Sequence, residues 1–387
     1  MQGRIARWLG RTMAAVIASL SVAATAQDAP RIEGRSEQSL IVAGARLGYT
    51  AEAGLFPVAS KPGKPDATAG YVAYVRHAAT AERPVLFVFN GGPGAASAYL
   101  QMGALGPMRA RVPQDPSEPL PARAIMAPNP ASLLDVADLV FLDPPGTGFS
   151  AIAADADRRF YQSVRGDADA VAQAARAWLI ANGRTASPLF ILGESYGTIR
   201  AAAMVDALHT LDPALVVRGV LLLGQALNMI ETSQRPDNVV TYPVALPTLA
   251  AIACYHHKRP EPCDPQRSAE EAAAFGPGYL HALFRGRALG AAERGEVASN
   301  LEALTGIPRG FYLANDLRIS KERFRVELLR DEGKVLGRYD ARYTAARTPD
   351  AATLVGPDAF SAVSDLYGKA VLDELGRIGV PRPERYQ

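Results

Sequence analysis

Cysteine is scarce in this chain, with two in 387 residues, Cys254 and Cys263. Pro260 and Pro262 lie between them, and in an oxidising compartment the pair reads as one small-loop disulfide. The neighbouring His256 and His257 give a C-x-H-H…C spacing that matches no zinc pattern, so no metal is assigned. Charge of one sign is lacking too: 41 Lys and Arg face 39 Asp and Glu. Arg4, Arg7 and Arg11 at the N-terminus hold part of the small excess. A near-neutral body excludes the electrostatic footprint of a nucleic-acid or anionic-membrane binder. No internal repeat, phosphate loop or dinucleotide fingerprint occurs, so no organic cofactor is expected. Past the N-terminus no apolar run is long enough to cross a bilayer, which takes about 20 residues. What the chain does have is 48% hydrophobic residues. That is ample for a core and excludes intrinsic disorder.

The first residues have the plan of an export signal. Arg4, Arg7 and Arg11 precede a small-to-apolar run from Thr12 to Ala24, and Ala24-Thr25-Ala26 stands as an A-x-A cleavage site before Gln27. Residues 1–26 are therefore read as a signal peptide. The remainder is expected to be exported, periplasmic or secreted, with no membrane attachment after cleavage.

Beyond it, apolar runs alternate with helical patterns. Tyr71–Val75, Pro84–Asn90, Ala137–Asp143, Leu189–Leu192 and Val217–Leu223 read as strands. Those apolar on both faces suit a central parallel sheet. Asp167–Ile180 and Ile199–Leu208 read as helices between them. This rhythm predicts an α/β fold: a mostly parallel sheet with helices on both faces and a ligand site at the carboxyl ends of the strands. Three glycine-rich turns fall at those ends and are expected to meet. Residues 27–225 form this core, 226–375 a helical cap or insertion, and 376–387 a tail. In the cap, Tyr242–Tyr255, Ala269–Ala274, Tyr279–Phe284, Glu293–Leu304 and Ile319–Leu329 are the expected helices. Lys334-Val335-Leu336 is too short and too charged at its flanks to count as a buried strand. Arg318–Arg330 reads as a solvated amphipathic helix.

Two turns carry chemistry. Gly193-Glu194-Ser195-Tyr196-Gly197 is G-x-S-x-G between a strand and a helix, the context of a nucleophile elbow. Glycine on either side permits a sharp turn that lifts the serine hydroxyl over the sheet. Asn90-Gly91-Gly92-Pro93-Gly94 follows the first core strand. Its glycine pair lets a backbone N–H point into the cavity and, with the Tyr196 N–H, make a two-donor oxyanion hole.

With LGP at 105–107 and DPPGTGFS at 143–150, these segments resemble the serine carboxypeptidases of the α/β-hydrolase superfamily, most closely their exported bacterial branch. The likeness runs over roughly 40–375 and includes YLANDLRIS at 312–320 and GRYDARYT at 337–344. It implies an exopeptidase that releases C-terminal residues through an acyl-enzyme on Ser195. Gly92 and Tyr196 would supply oxyanion N–H groups. Asn90, Gly91 and Glu194 would grip the free C-terminal carboxylate of a peptide, with a protonated Glu194 favouring acid pH. The family's second carboxyl falls at Ala104 and its cysteine after the glycines at Ala95. In this fold an acid and a histidine follow later strands, beyond the cap. His209, His256, His257 and His281 follow no strand, so no general base is assigned and the last strands of the fold are expected to be missing. Two other readings stay open: another acyl hydrolase or esterase on the same framework, and a non-catalytic remnant.

Overall fold

The computed structural model describes residues 31–42, 44–228, 234–348, 358–381 and 386. The signal segment 1–26 lies outside them. A seven-stranded sheet runs β1-β2-β3-β7-β4-β8-β9. Its members are β1 (Arg31–Val42), β2 (Ala45–Val58), β3 (Ala67–Arg76), β4 (Val85–Phe89), β7 (Asp138–Asp143), β8 (Leu189–Glu194) and β9 (Val217–Leu223). β1, β2 and β3 are antiparallel, and β3 meets β7 antiparallel. From β7 through β4 and β8 to β9 the pairing is parallel. Two small hairpins lie apart from it: β5 (Met108–Ala110) with β6 (Met126–Pro128), and β10 (Lys334–Leu336) with β11 (Thr344–Ala346).

The apolar runs become the central strands for the expected reason. Every residue of β4 and β7 is buried, since helices cover both faces. One face takes the helices Val164–Ala181 and Tyr196–Leu211, where Trp178 and Phe87 meet edge to face at 6.2 Å. The first of these starts where Ser163 caps it, its hydroxyl accepting from Gly166 N at 3.0 Å. The other face takes the helix Ser361–Ile378, through Ala370, Val371, Leu375 and Ile378. That helix corrects the expected cap boundary at 375: it begins inside the range assigned to the insertion, yet it packs on the sheet.

The insertion has a core of its own, built on the helices Thr241–Tyr255, Pro265–Arg285, Ala291–Thr305, Arg309–Ala314 and Lys321–Glu327. The two helices expected at 269–274 and 279–284 are one, because Pro277 is tolerated inside Pro265–Arg285. The expected solvated helix over 318–330 is shorter and half-sunk, with Phe324, Arg325 and Val326 buried. Lys334-Val335-Leu336 is a strand after all: Val335 and Leu336 are buried and pair with Ala345 and Thr344. Its brevity hid it, since three residues show no period. Cys254 and Cys263 are joined in a disulfide, their Cα atoms 5.7 Å apart.

β9 is the outermost strand on its side among the described residues. Its side chains have the composition of a buried strand without the burial. Val220, Leu221, Leu222 and Leu223 are 38–51% exposed. Among the described residues no helix is long and apolar enough to cross a membrane.

Candidate active site

β8 ends at Glu194, and the helix Tyr196–Leu211 starts one residue later, with Ser195 alone making the turn. Ser195 sits at φ +56°, a strained left-handed value for a side-chain-bearing residue, and is half-exposed. Three bonds fix it. Its N–H donates to the Leu223 carbonyl at 2.9 Å, and its carbonyl accepts from Thr198 N at 2.9 Å and Thr198 Oγ1 at 2.7 Å. A methyl group on Gly193 would stand 2.1 Å from the Gly197 oxygen, so the sharp turn requires glycine there.

The loop after β4 lies directly against this elbow. A methyl on Gly91 would fall 2.5 Å from Tyr196 N and 2.8 Å from Gly197 N. Gly92 has φ +105°, which lets the chain bend away after the contact. The third glycine-rich turn joins through Asp143 at the end of β7, whose Oδ1 accepts from Ser97 N at 2.7 Å and Ser97 Oγ at 2.8 Å. The three turns thus meet as the alternation of strands and helices required.

Asp143 is buried, and its other oxygen accepts from Tyr386 at 2.8 Å. Burial raises its carboxyl above the ordinary value, against the pull of these hydrogen bonds. A raised folded value means that the folded form holds the proton over a pH window where the unfolded chain, titrating near about 4, has lost it. Stability from this group therefore grows as pH falls through that window. The stability advantage of the parent over Asp143→Asn is expected to widen between pH 7 and pH 4.5 in urea melts; a gap independent of pH would contradict this.

Asn90 and Glu194 stand side by side at the ends of adjacent strands. Asn90 Nδ2 donates to Glu194 Oε2 at 3.1 Å, while Asn90 Oδ1 accepts from Leu100 N at 3.1 Å. Glu194 Oε1 accepts from the Tyr339 hydroxyl at 3.3 Å. Tyr339 lies in the β10–β11 connection and stacks on Tyr99, ring centres 5.4 Å apart. Desolvation of the hydroxyl, and next the Glu194 charge, push its phenol up to about 12.

Beneath both jaws lies one buried cation. Arg200 is 1% exposed. Its Nε donates to Asp167 Oδ2 at 2.8 Å and its Nη1 to the Asn90 carbonyl at 2.6 Å. Its guanidinium also lies over the rings of Phe89 and Tyr196, 5.2 and 5.5 Å from their centres. Tyr196 hydrogen-bonds Asp167, whose carboxyl burial raises while Arg200 draws it back down. Sequence reading missed Arg200 and Asp167. A lone arginine inside an Ala-rich helix, with an acid one helix earlier, was the available signal. Tyr339 carried no such signal, since contact across 145 positions is a product of folding.

The histidines are engaged elsewhere. His256 Nε2 bonds the Ala341 carbonyl at 2.8 Å, and burial lowers its pKa. His257 pairs with Glu261 at 2.7 Å, and His209 and His281 are exposed. Among the described residues no histidine is hydrogen-bonded to Ser195, and no cluster of three or more metal-donor side chains occurs.

Residues 52–220, which carry all three turns, match the sequence profile of the serine carboxypeptidases. Over this segment the chain is similar to the serine carboxypeptidase family. The mostly parallel sheet with helices on both faces and the sharp turn after β8 are consistent with an α/β-hydrolase-like fold. Solved structures with similarity to this chain include a prohormone-processing carboxypeptidase from Saccharomyces cerevisiae, 16% identical with a TM-score of 0.36. That match covers 70% of this chain and 54% of the yeast one, so the chain spans about half the length of that relative. A rice cell wall degrading esterase from Xanthomonas oryzae is also 16% identical, with 79% of each chain covered and a TM-score of 0.35. A cold-adapted esterase from an Arctic intertidal metagenomic library is 15% identical, with 45% of this chain and 60% of that one covered and a TM-score of 0.27. No curated protein matches the chain at a significant level.

Proposed function

We propose that this protein is an exported serine-type carboxypeptidase that removes C-terminal residues from peptides. The observation that carries this reading is the pairing of Asn90 and Glu194 against Gly91, next to a raised and half-exposed Ser195. A hydroxyl there attacks a scissile carbonyl. The N–H groups of Gly92 and Tyr196 receive the oxyanion that forms. The amide of Asn90 and the backbone at Gly91 receive the substrate's terminal carboxylate, and Glu194 adds a hydrogen bond once protonated. The strain at Ser195 supports this role, since such backbone outliers concentrate where geometry is held for chemistry.

Without a base, a serine hydroxyl is a weak nucleophile. Oxyanion stabilisation and binding alone leave about 10³–10⁴-fold acceleration over water. The test compares a blocked dipeptide with its C-terminal amide, using parent protein and Ser195→Ala. Cleavage of the free acid only, lost in Ser195→Ala, is the expected result. Equal cleavage of the amide would favour a general acyl hydrolase. No turnover, together with no labelling of Ser195 by a fluorophosphonate, would favour a binding protein.

A further inference from the structure

Glu194 stands between the sheet and the insertion. Among the described residues no lysine or arginine forms an ion pair with it, and Arg338, beside Tyr339 in sequence, turns instead to Glu322 at 2.9 Å. Its two oxygens are held by two neutral donors, Asn90 on one and Tyr339 on the other. Asn90 belongs to the sheet, and its amide carries two protons. Tyr339 comes from the insertion and has one proton to give. That single proton is a selective device, because the phenol can serve Glu194 or an incoming acceptor but not both at once.

The position of Tyr339 suits the second use. The residue is 61% exposed, so the ring borders open solvent beside Glu194. Its stack on Tyr99 and its contact with Phe360 at 5.7 Å hold the ring in place while leaving the hydroxyl free to rotate. Tyr99 is itself tied down by a hydrogen bond to Ser364. A preorganised neutral donor beside an acid is what a bound carboxylate needs, since it adds a hydrogen bond without a second negative charge.

We infer that Tyr339 is a substrate-binding residue: on arrival of a peptide it moves its hydroxyl proton from Glu194 to the terminal carboxylate, so that the insertion takes a direct part in selecting free C-termini. This rests on the carboxypeptidase reading and deepens it. The step breaks no covalent bond.

The test is a binding measurement, independent of turnover. Titration calorimetry on Ser195→Ala would follow an N-acetylated dipeptide and its C-terminal amide, each repeated with Tyr339→Phe added. The phenylalanine keeps the ring contacts, and a thermal melt checks that the fold is kept. The acid is expected to bind more tightly than the amide. Tyr339→Phe is expected to weaken the acid about threefold or more, less than a newly made hydrogen bond to a charged group would because the phenol gives up Glu194 to make it, with the amide unchanged. An undiminished preference for the acid in Tyr339→Phe would overturn the role of Tyr339 alone. Equal binding of acid and amide, or binding of neither, in the Ser195→Ala protein would overturn the carboxypeptidase reading and this inference with it.

Discussion

Gly91→Ala is expected to abolish the reactivity of Ser195 while leaving the fold in place. The added methyl would lie 2.5 Å from Tyr196 N, 2.6 Å from the Glu194 oxygen and 2.8 Å from Gly197 N. All three are backbone atoms of the elbow, which no rotamer change can move aside. The loop and the elbow must part, and the two proposed oxyanion donors, the N–H groups of Gly92 and Tyr196, part with them. Losing one such donor costs about 10²–10³-fold in rate. Fluorophosphonate labelling of Ser195 should slow by at least that factor, with far-ultraviolet circular dichroism unchanged. Gly278→Ala, whose methyl meets no atom within 4 Å, is the control and should label normally. Normal labelling of Gly91→Ala would mean that the loop does not serve the serine.

Arg200→Met is expected to be the more damaging change for stability. It strands Asp167, which is 5% exposed and would lose its cation, and frees the Asn90 carbonyl. Removing one partner of a buried ion pair costs about 3–5 kcal/mol. That is a large part of the about 5–15 kcal/mol that holds a typical domain together. Because burial already raises the Asp167 carboxyl, the penalty should shrink at pH 5, where Asp167 can take a proton. Urea denaturation at pH 7.5 and pH 5 measures both effects. Adding Asp167→Asn to Arg200→Met should restore part of the loss at pH 7.5, since the orphaned charge is gone. A loss independent of pH, unrelieved by the second change, would show that Arg200 acts through packing alone.

Much of this architecture was legible in the chain because the central strands advertise themselves. VLFVF and DLVFLD are continuous apolar runs, and each ends in a glycine-rich turn. The elbow was legible for the same reason: strand, G-x-S-x-G and helix are contiguous. β1 and β2 were not, although they are the longest strands. RIEGRSEQSLIV and ARLGYTAEAGLFPV mix charges and glycines, because each sits at or near a sheet edge where burial is one-sided. The helix Ser361–Ile378 was read as cap because it follows the cap in sequence. Its placement on the sheet depends on contacts with β1 and β2, which local pattern cannot report. Asn90, Gly91 and Glu194 were visible as motif members. Arg200 was not, and Tyr339 stood only inside the matching segment 337–344 with no role, since the roles of both exist only once distant segments meet.

The elbow also has a weak foundation. The carbonyl that receives the Ser195 amide belongs to Leu223, the last residue of β9, and among the described residues that strand has a neighbour on one side only. Marginal strands fray, and their amides exchange with solvent long before those of the interior. Breathing at this margin would therefore loosen the turn that carries the nucleophile, whereas any ribbon that zipped onto the leucine row would stiffen it.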